Sequence, residues 1–172
     1  MENIKEKLIA ATKYESPVRK DWRIGCIGSG FIMADCHLES YRAAGFNPVA
    51  IASRTPANAK AVAERHSIPK VYDTWQEMLK DDSIEILDIA YPPDQQLDIV
   101  REAVKCPNLK GILCQKPIEM SIENAREIVR LGEEYGKAIA VNSNMRCDQS
   151  MRALKYLLDT GELGGHLISW PS

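Results

Sequence analysis

The chain has 172 residues, enough for one well-buried domain and a short appendage, with 45% hydrophobic and 27% charged residues. That balance is ordinary for a globular protein, and the formal net charge of −2 leaves no broad electropositive surface for a nucleic-acid backbone. Five cysteines, Cys26, Cys36, Cys106, Cys114 and Cys147, stand singly with no C-x-x-C pair, which suits a reducing compartment better than a disulfide framework. Residues 1–20 hold no apolar core of signal-peptide length, and no uncharged run is long enough to span a membrane. A cytoplasmic protein with no membrane and no nucleic-acid partner is the expectation.

In chain order, the first 20 residues read as a short helix with Ile4, Leu8 and Ala11 on one face, broken at Ser16-Pro17. From Trp22 onward, strands and helices alternate. Arg23 to Ile27 is an apolar strand, Gly28-Ser29-Gly30 a turn, and Met33, Cys36, His37, Ser40, Tyr41 and Ala44 repeat at helical spacing up to Gly45. A strand follows over Pro48 to Ala52, then Thr55 caps a helix with Pro56 at its first position and Ala59, Val62, Ala63 and His66 inward.

Lys70 to Tyr72 reads as a short strand, and Thr74 opens a helix through Leu79. Ile84 to Ala90 is the strongest strand. Pro92-Pro93-Asp94 starts a helix carrying Leu97, Val100 and Val104, Gly111 to Cys114 is another strand, and Ser121 caps a helix carrying Ile122, Ala125, Ile128 and Val129. Ala138 to Val141 is a sixth apolar run, and a last helix spans roughly Gln149 to Leu158.

Strands this short and apolar, separated by helices, must be parallel and covered on both faces. The right-handed crossover rule then gives an α/β fold, a doubly wound parallel sheet of the dinucleotide-binding Rossmann type. The expected division is a helical extension over 1–20, a nucleotide-binding domain over 21–145, and a linker helix with a stub over 146–172.

A G-x-G turn between a first strand and its helix is the setting of the dinucleotide fingerprint. Gly28 permits the sharp turn. Gly30 lets the backbone approach a pyrophosphate, which the N–H groups and dipole of the helix start would hold. The third glycine of the fingerprint falls at Met33, so Met33 or Ala34 must pack against the strand instead.

After the second strand comes Ser53-Arg54-Thr55, where an acid would grip a ribose hydroxyl pair. A guanidinium beside two hydroxyls suits a 2′-phosphate better, so the reading leans to NADP over NAD. Arg54 is otherwise a solvated charge at a strand end.

Five stretches together resemble the glucose–fructose oxidoreductase, inositol dehydrogenase and MocA family, from Trp22 to about Gly165. They are Gly28 through Leu38; Ile51 through Thr55; Tyr91-Pro92-Pro93-Asp94-Gln95-Gln96; Cys114-Gln115-Lys116-Pro117; and Asn142 through Arg146 leading into Leu157 through Gly164. The resemblance implies hydride transfer between a nicotinamide ring and a hydroxyl or carbonyl carbon of a sugar or polyol. It makes Lys116 the catalytic lysine, which also meets substrate.

It further implies that Gly28, Ser29, Gly30, Phe31, Ile32, Ser53, Arg54, Thr55, Tyr91, Pro92, Pro93, Gln96, Gln115 and Asn144 bind the cofactor, with Arg146 toward the substrate. No metal is implied. Two positions depart from the family pattern: Gln96 stands where a histidine is usual, and Gln115 replaces the glutamate of an E-K-P element. That second change removes a carboxylate that could pair with the lysine or help hold the ribose.

Read alone, Lys116 is equally a surface lysine before a proline turn, and Arg146 a surface arginine leading a helix. His37 and His66, on apolar helix faces, read as satisfied core or boundary histidines. His166 falls at a variable linker position and is not promoted to an acid–base role.

The family's substrate domain, a mainly antiparallel sheet that supplies a further histidine, would begin near Leu167 to Ser172, so it is expected to be missing here. Two hypotheses follow. One is the cofactor-binding part of a dehydrogenase with little turnover alone, self-associating through the exposed edge into a homo-oligomer. The other is a non-catalytic nucleotide-binding module or sensor.

Overall fold

The structure is a computed structural model that describes residues 3–13 and 17–163. Ser16, His166 and the terminal run Leu167 to Ser172 lie outside the described residues. The chain divides into two compact units, Val18–Asn142 and a second made of Met1–Pro17 with Ser143–Ser172.

The larger unit is a six-stranded sheet in the order β3-β2-β1-β4-β5-β6. Its strands are β1 (Arg23–Ile27), β2 (Asn47–Ala52), β3 (Lys70–Tyr72), β4 (Ile86–Ile89), β5 (Gly111–Gln115) and β6 (Ala138–Asn142). Every neighbouring pair is parallel. The chain runs outward from β1 to β3 and returns to lay β4 on the other side of β1. Strand order therefore reverses between β1 and β4, where Ile27 pairs with Ala52 on one side and Ile89 on the other. An open sheet of this kind has its ligand crevice at that reversal, beyond the carboxyl ends of the strands.

The sequence explains where the helices begin. A π-helical turn (Ile32–His37) continues as α2 (Leu38–Ala44) and stops at Gly45, whose φ of +75° is left-handed. The helix α3 (Pro56–His66) starts with proline at its first turn. Thr55 does occupy its N-cap in extended conformation, but its side chain makes no cap hydrogen bond. Thr74 and Ser121 do make theirs, to the N–H groups of Glu77 and Asn124, at the starts of α4 (Trp75–Met78) and α6 (Ile122–Glu134). Between them, α5 (Pro93–Ala103) opens on its proline.

Period-two alternation along β1 divides the core. Ile24 and Cys26 join Met33, Leu38, Ile51, Ala59, Ala63 and Ile68 in one apolar cluster. Ile27 joins Leu87, Ile89, Leu97, Val100, Ile112, Cys114 and Ile128 in another. Each fully buried aliphatic side chain of this kind contributes roughly 1.5–3 kcal/mol. Met33, at the fingerprint's third-glycine position, is wholly buried, and Ala34 is 6% exposed. The thioether fills the space that a glycine would leave, and the chain widens into a π turn there, with the Leu38 N–H reaching the Met33 carbonyl.

Four expectations are corrected. The strong strand is shorter at both ends than Ile84 to Ala90, because Ile84 is already committed to a turn, its N–H donating to the Asp81 carbonyl. β6 is not covered on both faces: Ala138, Ala140 and Val141 are exposed, as an edge strand with one neighbour permits. On α6, Ile128 and Leu131 are buried while Ile122 and Val129 stay more than half exposed, so its inward face is narrower than the apolar spacing suggests. His37 is 8% exposed and hydrogen-bonded, as a core histidine should be. His66 is not a satisfied one. Neither of its ring nitrogens has a hydrogen-bond partner among the described residues.

The second unit pairs α1 (Ile4–Thr12) with α7 (Gln149–Asp159). Leu8 and Ala11 are half-buried and Ile4 is exposed. Arg152 of α7 donates to the Ala11 and Lys13 carbonyls, satisfying orphan acceptors at the end of α1. Among the described residues no helix is long and apolar enough to cross a membrane.

Candidate functional site

Because all six strands are parallel, their carboxyl ends share one edge of the sheet, and most of the expected site residues stand there. Gly28 to Gly30 leave β1, Ser53 to Thr55 leave β2, Tyr91 to Pro93 follow β4, and Gln115 and Lys116 close β5. Asn144 and Arg146 lie instead in the 3-10 turn Asn144–Cys147 of the other unit, where both are exposed.

The two glycines of the turn have different reasons to be glycine. Gly28 has φ +112°, and a Cβ there would sit 2.4 Å from the Ala90 carbonyl oxygen of the neighbouring segment. Its N–H donates to the Ala52 carbonyl at 2.8 Å, so the turn is tied to both flanking strands. Around Gly30, by contrast, a Cβ would meet nothing within 4 Å. The chain itself does not require that glycine. Its main-chain N–H and that of Ser29 have no partner among the described residues, and Phe31 and Ile32 beside them are 70% and 40% exposed. Bare donors at a helix start, next to open space, fit a dinucleotide's pyrophosphate.

The second loop is held against the first. The Ser29 hydroxyl donates to the Ser53 hydroxyl at 2.8 Å, and the Thr55 N–H donates to the same Ser53 oxygen at 3.3 Å. The Arg54 guanidinium carbon lies 5.2 Å from the Tyr91 ring centroid, within cation–π range. Burial pushes the Tyr91 hydroxyl's pKa up, against the opposing effect of the Arg54 charge. Ser53, Arg54 and Tyr91, together with Asp73, Thr74, Trp75, Gln76 and Gln95, line a cleft of about 250 Å³. Asp73 and Trp75 were not legible as site residues, since a short strand ending in Asp-Thr-Trp looks like any strand-to-helix junction.

Lys116 is exposed, and its ammonium makes no ion pair with any described residue. With β4 between β5 and β1, it stands two strand spacings from the glycine turn, on the order of 10 Å. Gln96 departs from its expected place. It is wholly buried, donates to the Gln115 and Pro117 carbonyls at 3.0 Å each, and accepts from the Gln115 N–H at 2.9 Å. Its amide braces the main chain on either side of Lys116 and does not face the cleft. The Gln115 side chain is likewise turned onto its own backbone, with Oε1 accepting from the Lys116 N–H at 2.8 Å.

Beneath this edge lies a polar cluster that the sequence hinted at only through one acid in an apolar strand. Asp88 is fully buried on β4 and takes hydrogen bonds from His37 and Tyr41. Burial and the Asp88 charge hold the Tyr41 hydroxyl far above its ordinary pKa and push the Cys114 thiol up to about 12. Neither is a nucleophile at neutral pH. Among the described residues, no group of three or more His, Cys, Asp or Glu is placed to hold a metal ion.

A GFO/IDH/MocA family model, described as an oxidoreductase family with an NAD-binding Rossmann fold, matches residues 22–143. The chain belongs to that family. Among its relatives, it is 31% identical over 148 residues to an inositol 2-dehydrogenase of Rubrobacter xylanophilus, covering 84% of this chain and 42% of that protein. It is 31% identical over 111 residues to a trans-1,2-dihydrobenzene-1,2-diol dehydrogenase of Xenopus tropicalis, covering 64% and 32%. A solved oxidoreductase from Agrobacterium radiobacter, in complex with NAD+, L-tartaric acid and magnesium, shares 25% identity at a TM-score of 0.77, covering 84% of this chain and 42% of that one. The chain thus spans about a quarter to two-fifths of the length of the curated relatives it matches.

Proposed function

We propose that this chain binds NADP or NAD along the carboxyl edge of its sheet. It would serve an oxidoreductase that moves hydride between the nicotinamide and a hydroxyl- or carbonyl-bearing carbon of a sugar- or polyol-like molecule. The observation that carries the reading is the open glycine turn sharing one sheet edge with an exposed Lys116 that is unpaired among the described residues. When bound, the dinucleotide supplies the hydride donor or acceptor.

The chain's own residues do the rest. Gly28, Ser29, Gly30, Phe31 and Ile32 seat the pyrophosphate, and Ser53, Arg54 and Thr55 meet the adenosine end. Tyr91 lines the cleft with Arg54, and Pro92 and Pro93 wall the nicotinamide ribose. Lys116 would hold the substrate oxygen and relay its proton, with Asn144 and Arg146 assigned to cofactor and substrate by family resemblance. The five cysteines are free thiols, in keeping with the cytoplasmic expectation. Apolar side chains left exposed at Ile122, Val129 and Val141 support self-association.

A 2′-phosphate would meet the Arg54 guanidinium and two hydroxyls, so the phosphorylated cofactor is the preferred one. A charge-assisted hydrogen bond of this kind is worth about 1.5–3 kcal/mol. NADPH is therefore expected to bind at least about tenfold more tightly than NADH, read by energy transfer from Trp75 in the same cleft to the reduced ring. Arg54→Ala should erase most of the difference. Tighter NADH binding by the unaltered chain would overturn this preference and assign Asp73 the ribose hydroxyls.

A non-catalytic nucleotide-binding module is the second reading, favoured by the lack, among the described residues, of a carboxylate paired with Lys116. Absorbance at the reduced-cofactor band, with a panel of polyols and sugars, separates the two. Under the enzymatic reading, any turnover falls at least about a hundredfold in Lys116→Ala while nucleotide affinity stays within about twofold. Turnover that survives the substitution removes Lys116 from the chemistry, and no nucleotide binding at all defeats both readings.

A further inference from the structure

The helix that opens at the phosphate-binding turn and the segment that carries Lys116 are joined through one buried imidazole. His37 closes the π turn that begins at Ile32. Its Nδ1 lies 2.8 Å from Oδ2 of Asp88 on β4. Its Nε2 lies 2.7 Å from Asn142 Nδ2 on β6 and 3.5 Å from Gln115 Nε2 on β5. Tyr41 donates to the same Asp88 oxygen at 2.7 Å.

The placement of the proton follows from Lys116. A backbone N–H can only donate, and that of Lys116 points at Gln115 Oε1, 2.8 Å away. The other end of the Gln115 amide, facing His37, is therefore the NH₂, which also can only donate. Nε2 of His37 must then present its lone pair, to Gln115 and to Asn142 together. The ring proton is left on Nδ1, where it is donated to Asp88.

Asp88 needs that donor. It is fully buried, and its other oxygen, Oδ1, has no partner among the described residues. The remaining titratable groups around it are the Tyr41 hydroxyl from α2 and the Cys26 and Cys114 thiols from β1 and β5. All three are held protonated by burial and by Asp88.

We infer that His37 is a positioning residue. Through Gln115 it fixes the main chain at Lys116 relative to the helix that starts at the glycine turn, and it does so as the Nδ1–H tautomer. Its importance for chemistry rests on the reading of Lys116 given above; the proton placement does not. Glutamine at 115 and a bare Nε2 are a matched pair. A glutamate there would turn a carboxylate oxygen toward Nε2; with the Asn142 amide turned to present its oxygen, a proton on Nε2 would then give an imidazolium between two carboxylates.

Ring-nitrogen NMR on the ¹⁵N-histidine-labelled chain near pH 7.5 reads this directly. The expected spectrum for His37 has Nδ1 protonated and Nε2 bare, and Gln115→Glu should place a proton on both nitrogens. In His37→Phe, exchange of the Lys116 amide hydrogen should accelerate about tenfold, the equivalent of one lost hydrogen bond.

A protonated Nε2 in the unaltered chain, or a ring spectrum unchanged in Gln115→Glu, overturns the proton placement. Unchanged Lys116 exchange in a folded His37→Phe overturns the positioning role. If that variant does not fold, His37→Leu, with its smaller apolar side chain, carries the same exchange test of the positioning role, and Gln115→Glu decides the proton placement independently. Nucleotide titration is read separately: its failure defeats the proposed function and leaves the His37 result standing.

Discussion

Gly28→Ala is expected to destabilise the domain by about 3 kcal/mol and to abolish nucleotide binding, whereas Gly30→Ala should leave stability nearly unchanged and weaken binding alone. At position 28 two costs combine. The backbone angle of +112° is one that residues with a Cβ rarely adopt, and the added methyl would fall 2.4 Å from the Ala90 oxygen and 3.3 Å from its carbon. Those atoms are backbone, so no rotamer change relieves the contact. Either β1 and β4 part at the point where the Ala90 N–H donates to the Ile27 carbonyl, or the turn itself refolds.

At position 30 the same methyl meets nothing of the chain. Only a ligand would object to it. Urea melts beside nucleotide titrations separate the two effects. A Gly30→Ala variant that binds reduced cofactor as tightly as the unaltered chain would show that the pyrophosphate does not lie where the open turn suggests.

That contrast marks what the sequence could and could not disclose. A G-x-G turn after Arg23 to Ile27 is visible as a pattern, because the strand-turn-helix context repeats wherever a dinucleotide meets a sheet. All six strands were legible, through short apolar runs bounded by turn and cap residues. So were the starts of α4 and α6 at Thr74 and Ser121, since cap chemistry is local. The exposure of β6 was not, because coverage depends on what packs beside a strand and not on its own residues.

The site divides in the same way. Arg54 was singled out by its position at a strand end and Lys116 by the family resemblance, and the structure leaves both exposed at the expected edge. Gln96 and Gln115 were assigned to the cofactor by the family resemblance. Burial decides otherwise for Gln96, and burial is a property of the assembled fold. His37, Asp88, Gln115 and Asn142 come from four separate segments, and only the strand order sets them around one imidazole. The sole local hint was an aspartate inside the run Ile84 to Ala90, where an unpaired charge could not stay.

Gln96 carries the second large effect. Gln96→Leu keeps the volume and removes three hydrogen bonds at once, stranding the Gln115 N–H and the carbonyls of Gln115 and Pro117 beside an apolar side chain. A buried polar group left without a partner costs about 1–3 kcal/mol, and the carbonyls can recover part of this by tilting toward water at the sheet edge. The expected loss is about 3 kcal/mol in a urea melt. The main chain around Lys116 would also loosen, so any turnover should fall further than nucleotide affinity does, because the glycine turn on β1 is not braced by this side chain. Gln96→His should restore part of the stability: an imidazole offers one donor and one acceptor in its neutral form, enough to meet the Gln115 N–H and one carbonyl but not both. A loss below about 1 kcal/mol in Gln96→Leu would mean that the stranded groups find other partners, and Gln96 would then be a packing residue without a hold on the lysine.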